Sequence, residues 1–395
     1  MSVPTSGSLK VLMGLTYYAP YVSGLTNAAR DVAVGLVERG HQVTVVTTRH
    51  DDDLPAREVL DGVVVLRAPV VARVGKGTLS PALPLWFARA SRSADVVNLH
   101  LPMLEAGPLA RLSTAPVVVT YQCDVSLPPG AASSAQRLVM DASSRAAMAA
   151  SAAVGVSSLD YARRSRVWPS MADRAHAVPP PSHLRAGGSP RLRESDGLHV
   201  GFLGRIVEEK GVEFLVEGFR ALPDPDARLL VGGSFSGIAG GSVVDRVRRA
   251  VDGDPRVRML GFVADEDLPD LYASLDVFAL TSVNAFEAFG IVQVEAMMAG
   301  VPALATDLPG VRQPVLRTGF GAVVPPRDPA AVTAALQRLA RGEVAADGAE
   351  RARELYDLSV TVDAYESLFR DAAAGRPPRP TVLRGRPEVL GGGPA

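Results

Sequence analysis

Residues 198–211 read LHVGFLGRIVEEKG, and the fold turns on them. An apolar run from Leu198 to Leu203 ends at Gly204, and a helical pattern begins near Gly211 and continues to Ala221. That is a buried strand opening through a tight loop into a helix. The stretch before it, Val178 to Gly197 (VPPPSHLRAGGSPRLRESDG), is dense in proline, glycine, serine and charge and reads as an interdomain linker. The chain therefore starts a second folding unit at about residue 198.

Working outward, the same grammar appears on both sides. Upstream, Lys10–Thr16 reads as a strand, YYAPYVSG as a loop, and Leu25–Glu38 as a helix closed by Gly40. HQVTVVTT, GVVVLRAPV, ADVVNLHLP and APVVVTYQCDV follow as further strands. Downstream come ARLLVGG, a helix near Val243–Ala250, the strand RVRMLGF, the helix EDLPDLYAS, the strand DVFALT and a helix over Gly290–Ala299. Continuous Val/Ile/Leu runs alternating with helices predict parallel sheets covered on both faces. The expectation is an α/β protein of two Rossmann-like, doubly wound domains facing each other across a cleft, with ligands at the carboxyl ends of the strands. The expected divisions are an N-terminal Rossmann-like domain over 1–184, a linker over 185–197 and a second Rossmann-like domain over 198–360. A C-terminal helix over 361–374, packing back on the first domain, and a disordered tail over 375–395 complete the reading.

Bulk properties fit this. The 395 residues are 47% hydrophobic and 21% charged, with a formal net charge of −1, the balance of a globular chain with no global field for nucleic acid. One cysteine, Cys123, rules out an internal disulfide framework and any Cys-rich metal site. MSVPTSGSLKVLMGLT has one lysine and a short apolar run, a first strand and not a signal peptide. No run reaches the ~18 apolar residues of a membrane span. A cytoplasmic protein is expected.

Two constellations carry chemistry. In Glu287-Ala-Phe-Gly-Ile-Val-Gln-Val-Glu295, Glu287 and Phe289 fall in a loop and Gly290 opens a helix. The Gly290 and Ile291 amides then offer an anion site at a helix amino end. Glu295 lies about one and a half turns inside, at a rise of ~1.5 Å per residue. One carboxylate would accept hydroxyls of a sugar and the other those of a ribose. In Gly204-Arg205-Ile-Val-Glu-Glu-Lys210-Gly211, Gly204 permits close backbone approach. Arg205 and Lys210 stand where a leaving diphosphate would gain charge, and preorganised cations stabilise such a transition state without a metal. Gly233, in GGSFSG (Gly232–Gly237), either approaches the nucleotide through its backbone or belongs to a flexible turn.

From the first strand to about Asp363 the chain resembles the large family 4 of retaining glycosyltransferases, which have the GT-B fold. The resemblance implies that Arg205 and Lys210 grip the donor diphosphate, that Glu287 meets the donor sugar and that Glu295 meets the ribose. It also implies a front-face mechanism with no protein nucleophile, no cofactor and no metal. The donor would be GDP-mannose or a UDP-glucose or UDP-N-acetylglucosamine type, and the acceptor a small-molecule, glycan or lipid-linked hydroxyl. Two departures stand out. Val22-Ser23-Gly24 retains one of the paired glycines, and Thr120-Tyr121-Gln122-Cys123-Asp124 has Gln122 where the family often has histidine. Gly24, Gln122 and Asp124 are the acceptor-side candidates. These departures keep open an alternative, a catalytically silent nucleotide-sugar-binding partner subunit.

Other features read as structural. Asp51-Asp52-Asp53 mimics a metal motif but suits a solvated turn, and Val74-Gly75-Lys76-Gly77-Thr78 lacks the upstream glycine of a phosphate loop. His100 and His176 have no partners at metal spacing. Arg73, Lys76, Trp86, Phe87, Arg89 and Arg92 form a basic-aromatic stretch. It reads either as an amphipathic helix turning Leu85 and Trp86 inward or as a weak peripheral contact at the inner membrane face.

Overall fold

The computed structural model describes residues 7–74, 77–125, 130–233, 243–379 and 387–388. The chain divides into two compact units. One runs to Pro181 and takes back the segment from Leu358 through residue 379, and the other spans Ser182–Asp357 together with residues 387–388.

The first unit is built on an eight-stranded sheet. Its strands are β1 (Lys10–Gly14), β2 (Gln42–Thr48), β3 (Arg57–Leu60), β4 (Val63–Ala68), β7 (Val96–Leu101), β8 (Val117–Tyr121), β9 (Ala153–Val156) and β10 (Ala175–Ala177). They lie in the order β10-β9-β8-β7-β1-β2-β4-β3. All pairings are parallel except the β3–β4 edge. A separate antiparallel hairpin joins β5 (Ala72–Val74) and β6 (Gly77–Leu79). The central strands are wholly buried, Val96–Leu101 at every position, which is why they read as unbroken apolar runs.

The second unit has six parallel strands, β11 (His199–Leu203), β12 (Arg228–Gly232), β13 (Val257–Gly261), β14 (Val277–Leu280), β15 (Ala303–Thr306) and β16 (Gly321–Val324). Their order is β13-β12-β11-β14-β15-β16. The winding direction reverses between β11 and β14, and in the first unit between β1 and β7. Such switch points leave an open crevice beyond the strands' carboxyl ends, where ligands of doubly wound sheets bind.

The helix Leu358–Ala373 packs into the first unit. Its Val362, Tyr365, Leu368 and Phe369 join Val11, Met13, Val32 and Leu36 in one buried cluster. Gly35 makes the approach close, since a Cβ there would stand 2.6 Å from Val362 Cγ2. Past this helix, Arg376 and Arg379 both reach the buried Asp371 carboxylate, at 3.0 and 3.3 Å. Of the expected tail, 375–379 is thus tied down, while 380–386 and 389–395 lie outside the described residues.

Two expectations meet a different arrangement. The stretch 185–197 is fastened to the second unit: Ser189 N donates to Asp270 Oδ1 at 2.7 Å, Leu192 N to Ser274 Oγ at 3.1 Å, and Arg193 pairs with Asp276 at 3.0 Å. Polar and charged side chains on the neighbouring helix supply the partners that the composition alone does not reveal. In the helix Leu83–Ser91, Leu83 and Phe87 turn inward and Leu85 is 72% exposed. The reason lies beneath: Gly14 leaves room for Phe87, whose ring a Cβ at Gly14 would meet at 2.7 Å.

Phe369 is fully buried where the returning helix meets the first sheet. Phe369→Ala is expected to destabilise the first unit by about 3–5 kcal/mol, read as an earlier chemical-denaturation midpoint for that unit.

Candidate active site

At the β11/β14 switch point the loops after the two strands are joined. Val283 N donates to Glu209 O at 2.9 Å and Thr281 Oγ1 to Gly211 O at 3.2 Å. Gly211 is left-handed (φ +57°), and a Cβ there would stand 2.5 Å from Thr281 O. Beside it, Gly204 and Gly233 take φ of +155° and +149°. A Cβ on Gly233 would fall 1.7 Å from Gly204 O, so no side chain is tolerated where β11 and β12 end.

Lys210 and Glu287 meet in this corner. Lys210 Nζ donates to Glu287 Oε2, and Ser282 Oγ donates to the same oxygen at 3.3 Å. The two side chains are 15% and 13% exposed, half-dry but reachable from solvent. Burial makes the pairing matter, since a desolvated charge without a partner costs several kcal/mol. Arg205, more open at 55% exposure, pairs with Glu209 at 3.2 Å. Gly204, Gly233, Lys210 and Glu287 are thereby brought together, with Arg205 and Glu209 at the rim.

Gly290 precedes the helix Ile291–Met298 in a left-handed conformation (φ 84°, ψ 69°). A Cβ there would lie 2.2 Å from Leu280 Cδ2. Phe289 contributes its ring to the core, edge-on to Tyr356 at 5.6 Å, and its carbonyl accepts from Gln293 Nε2 at 2.7 Å. The phenyl group thus fixes the turn and does not face outward.

Glu295 has a separate setting. Its carboxylate, in a residue 5% exposed, accepts from His183 N at 3.2 Å and lies 3.5 Å from Arg185 Nε. The Tyr272 hydroxyl, nearby, donates to Val292 O at 3.3 Å. Burial raises the Glu295 carboxyl above its ordinary value, with the Arg185 charge and the His183 amide opposing. Arg185 and Tyr272 were not singled out from the sequence. Arg185 sits in a stretch whose composition resembles a linker, and Tyr272 looks like one more apolar helix position.

In the first unit, Gly24 opens the helix Gly24–Glu38, capped by Ser23, and a Cβ on it would meet nothing within 4 Å. Gln122 follows β8, its backbone N–H donating to Leu101 O at 3.2 Å. Asp124 accepts from Tyr121 Oη at 2.5 Å and Ser165 Oγ at 2.9 Å, and lies 3.6 Å from Arg166 Nη1. Its carboxylate is engaged in holding the local loops. His100 is fully buried, burial pushes its imidazole down to about 3, and neither ring nitrogen has a partner among the described residues. Of the Gly232–Gly237 loop, residues 234–237 lie outside the described residues.

Two doubly wound units, with a glycine-lined, cation-bearing corner at a switch point, define a nucleotide-binding α/β class. The family described as "Glycosyl transferase 4-like domain" matches residues 23–181, and "Glycosyl transferases group 1" matches 197–341. The chain belongs to this glycosyltransferase family, whose enzyme class is glycosyl transfer. A phosphatidyl-myo-inositol mannosyltransferase of Mycobacterium leprae is 28% identical over 92% of this chain and 97% of its own length. A mannosylfructose-phosphate synthase of Agrobacterium fabrum is 36% identical over 28% of this chain and 26% of its own. A D-inositol 3-phosphate glycosyltransferase of Corynebacterium kroppenstedtii is 32% identical over 43% and 41%. The matches thus span less than half of these last two. Among solved structures, the sucrose-phosphate synthase of Thermosynechococcus elongatus superposes with a TM-score of 0.74 at 20% identity, over 93% of this chain and 100% of that one. Anabaena HepE in complex with UDP gives 0.68 at 18%, over 90% and 98%. These two likenesses concern the fold, that of GT-B glycosyltransferases.

Gly233→Ala is expected to force the ends of β11 and β12 apart at a cost of at least about 1–3 kcal/mol. A lowered melting temperature together with lost nucleotide binding would register it; an unchanged melt would contradict the packing.

Proposed function

We propose that the protein transfers a hexosyl group from a nucleotide diphosphate sugar to an acceptor hydroxyl, with retention and without a metal. The observation that carries this is the Lys210–Glu287 pair beside Gly204 and Gly233 at the switch point. The glycines let a diphosphate approach the backbone. Lys210, joined by the more open Arg205, would neutralise charge on the departing phosphate, with the Gly290 and Ile291 amides adding a helix amino end. Glu287, released in part from Lys210 as the phosphates arrive, would accept hydroxyls of the transferred sugar. Glu295 would accept those of the ribose. The acceptor oxygen attacks the anomeric carbon on the leaving-group side, its proton passing to a donor phosphate oxygen as the carbon–oxygen bond to phosphate breaks. Such a reaction asks of the protein orientation and charge, which these residues supply.

GDP-mannose is the donor we favour among the nucleotide sugars, because a relative matched over 97% of its own length is named a mannosyltransferase. The names of two relatives point to an inositol-containing, lipid-linked or phosphorylated acceptor, with Gln122 orienting a hydroxyl. No described helix is long and apolar enough to cross a membrane. A lipid-linked acceptor would be met at the inner membrane face through the exposed Leu85 and Arg89 of the helix Leu83–Ser91.

Two measurements test the proposal. Lys210→Ala should lower kcat about a hundred-fold, as loss of one preorganised transition-state contact does, while the fold persists; full turnover in this variant would refute its role. EDTA should leave the rate unchanged, and a metal requirement would overturn the metal-free reading.

A further inference from the structure

Glu295 presents a physical difficulty that the donor role makes sharper. A carboxylate that accepts two ribose hydroxyls must be ionised, yet this one lies in a residue only 5% exposed, where an unpaired charge is strongly disfavoured. Lys210 is engaged with Glu287. The cation within reach of Glu295 is Arg185, whose Nε lies 3.5 Å from Oε1.

We infer that Arg185 is a positioning residue of the donor site, holding the Glu295 carboxylate charged and turned so that it receives the ribose hydroxyls. The inference rests on the reading of Glu295 as the ribose acceptor. Three features of the geometry support it. The His183 amide donates to the same oxygen, Oε1, that faces Arg185, so both sit on one side of the carboxylate and Oε2 is the oxygen left with more freedom. Arg185 is itself anchored, its Nη2 2.9 Å from Asp265 Oδ2, which fixes the guanidinium without help from ligand. The chain segment bearing Arg185 is held to the second unit by Ser189 and Leu192, so the cation belongs to the same compact unit as the helix carrying Glu295.

The groups around Glu295 set the sign of the pH dependence. Burial raises its carboxyl; Arg185, the His183 amide and the His183 imidazole lower it; Asp265 raises it. Tyr272, whose hydroxyl donates to Val292 O, stays neutral because burial lifts it well above its ordinary value. Nucleotide affinity should therefore fall as pH drops through the Glu295 midpoint. Removing the Arg185 charge should move that midpoint upward, and removing Asp265 should move it downward.

The experiment is calorimetric titration of the full chain with GDP, UDP and ADP from pH 4.5 to 8.5. For whichever nucleotide binds, Arg185→Gln should shift the midpoint of affinity up by about one pH unit or more, the scale of a neighbouring opposite charge. Arg185→Lys should restore most of the shift, and Asp265→Asn should lower the midpoint. Melting temperatures of each variant report folding separately. A uniform loss of affinity in Arg185→Gln with an unmoved midpoint would overturn the inference and leave Arg185 a merely structural residue. If Glu295→Gln leaves affinity and its pH profile unaltered, the ribose reading fails. If wild type binds none of the three nucleotides, both fail together.

Discussion

The second unit depends on a carboxylate and an ammonium meeting in a half-dry corner. Lys210 comes from the turn after β11 and Glu287 from the loop after β14, 77 positions later. The strands are neighbours in the sheet, so the pair links two loops that the topology has already set side by side. Neither charge would stay so little exposed alone. Around them Gly204, Gly211 and Gly233 remove every Cβ that would hold the backbones apart. The result is a compact polar corner in which the charges are oriented before any ligand arrives, the condition under which electrostatic stabilisation costs no reorganisation.

A second buried acid repeats the arrangement in another register. Glu295 has Arg185 and a backbone amide where Glu287 has Lys210 and a serine hydroxyl. The contrast is in exposure of the partner. Lys210 is nearly as enclosed as its acid, whereas Arg185 also reaches toward Asp265, which is 75% exposed. The first pair is enclosed on both members; the second is braced from outside.

Much of this was legible in the sequence, for identifiable reasons. Strands such as VVNLHL and VVVTY are buried on both faces and so are apolar throughout, and Gly204 and Gly290 punctuate strand and helix where φ turns positive. The edge strand Arg57–Leu60 was not legible, because REVL alternates exposed and half-buried positions and pairs antiparallel. Nor was the Lys210–Glu287 contact, which depends on β11 lying beside β14 and on no local pattern. The burial of Phe289 was not legible either: it falls in a loop between two acids, yet its ring completes the core against Tyr356. Arg185 was hidden by proline, glycine and charge, a composition that marks irregular backbone whether or not that backbone is tethered.

The helix Leu358–Ala373 has a consequence for how the chain acquires its structure during synthesis. Every strand of the second unit lies in one continuous stretch, Ser182–Asp357, and is present once that stretch has left the ribosome. The first unit, although translated earlier, lacks the helix that covers Val11, Met13 and Leu36 until residue 373 emerges. Vectorial order is thereby inverted: the amino-terminal half waits with part of its apolar sheet uncovered while the later half finishes. A nascent chain in that interval presents a hydrophobic face to trigger factors and chaperones, and a fragment ending at Pro181 would carry that face permanently.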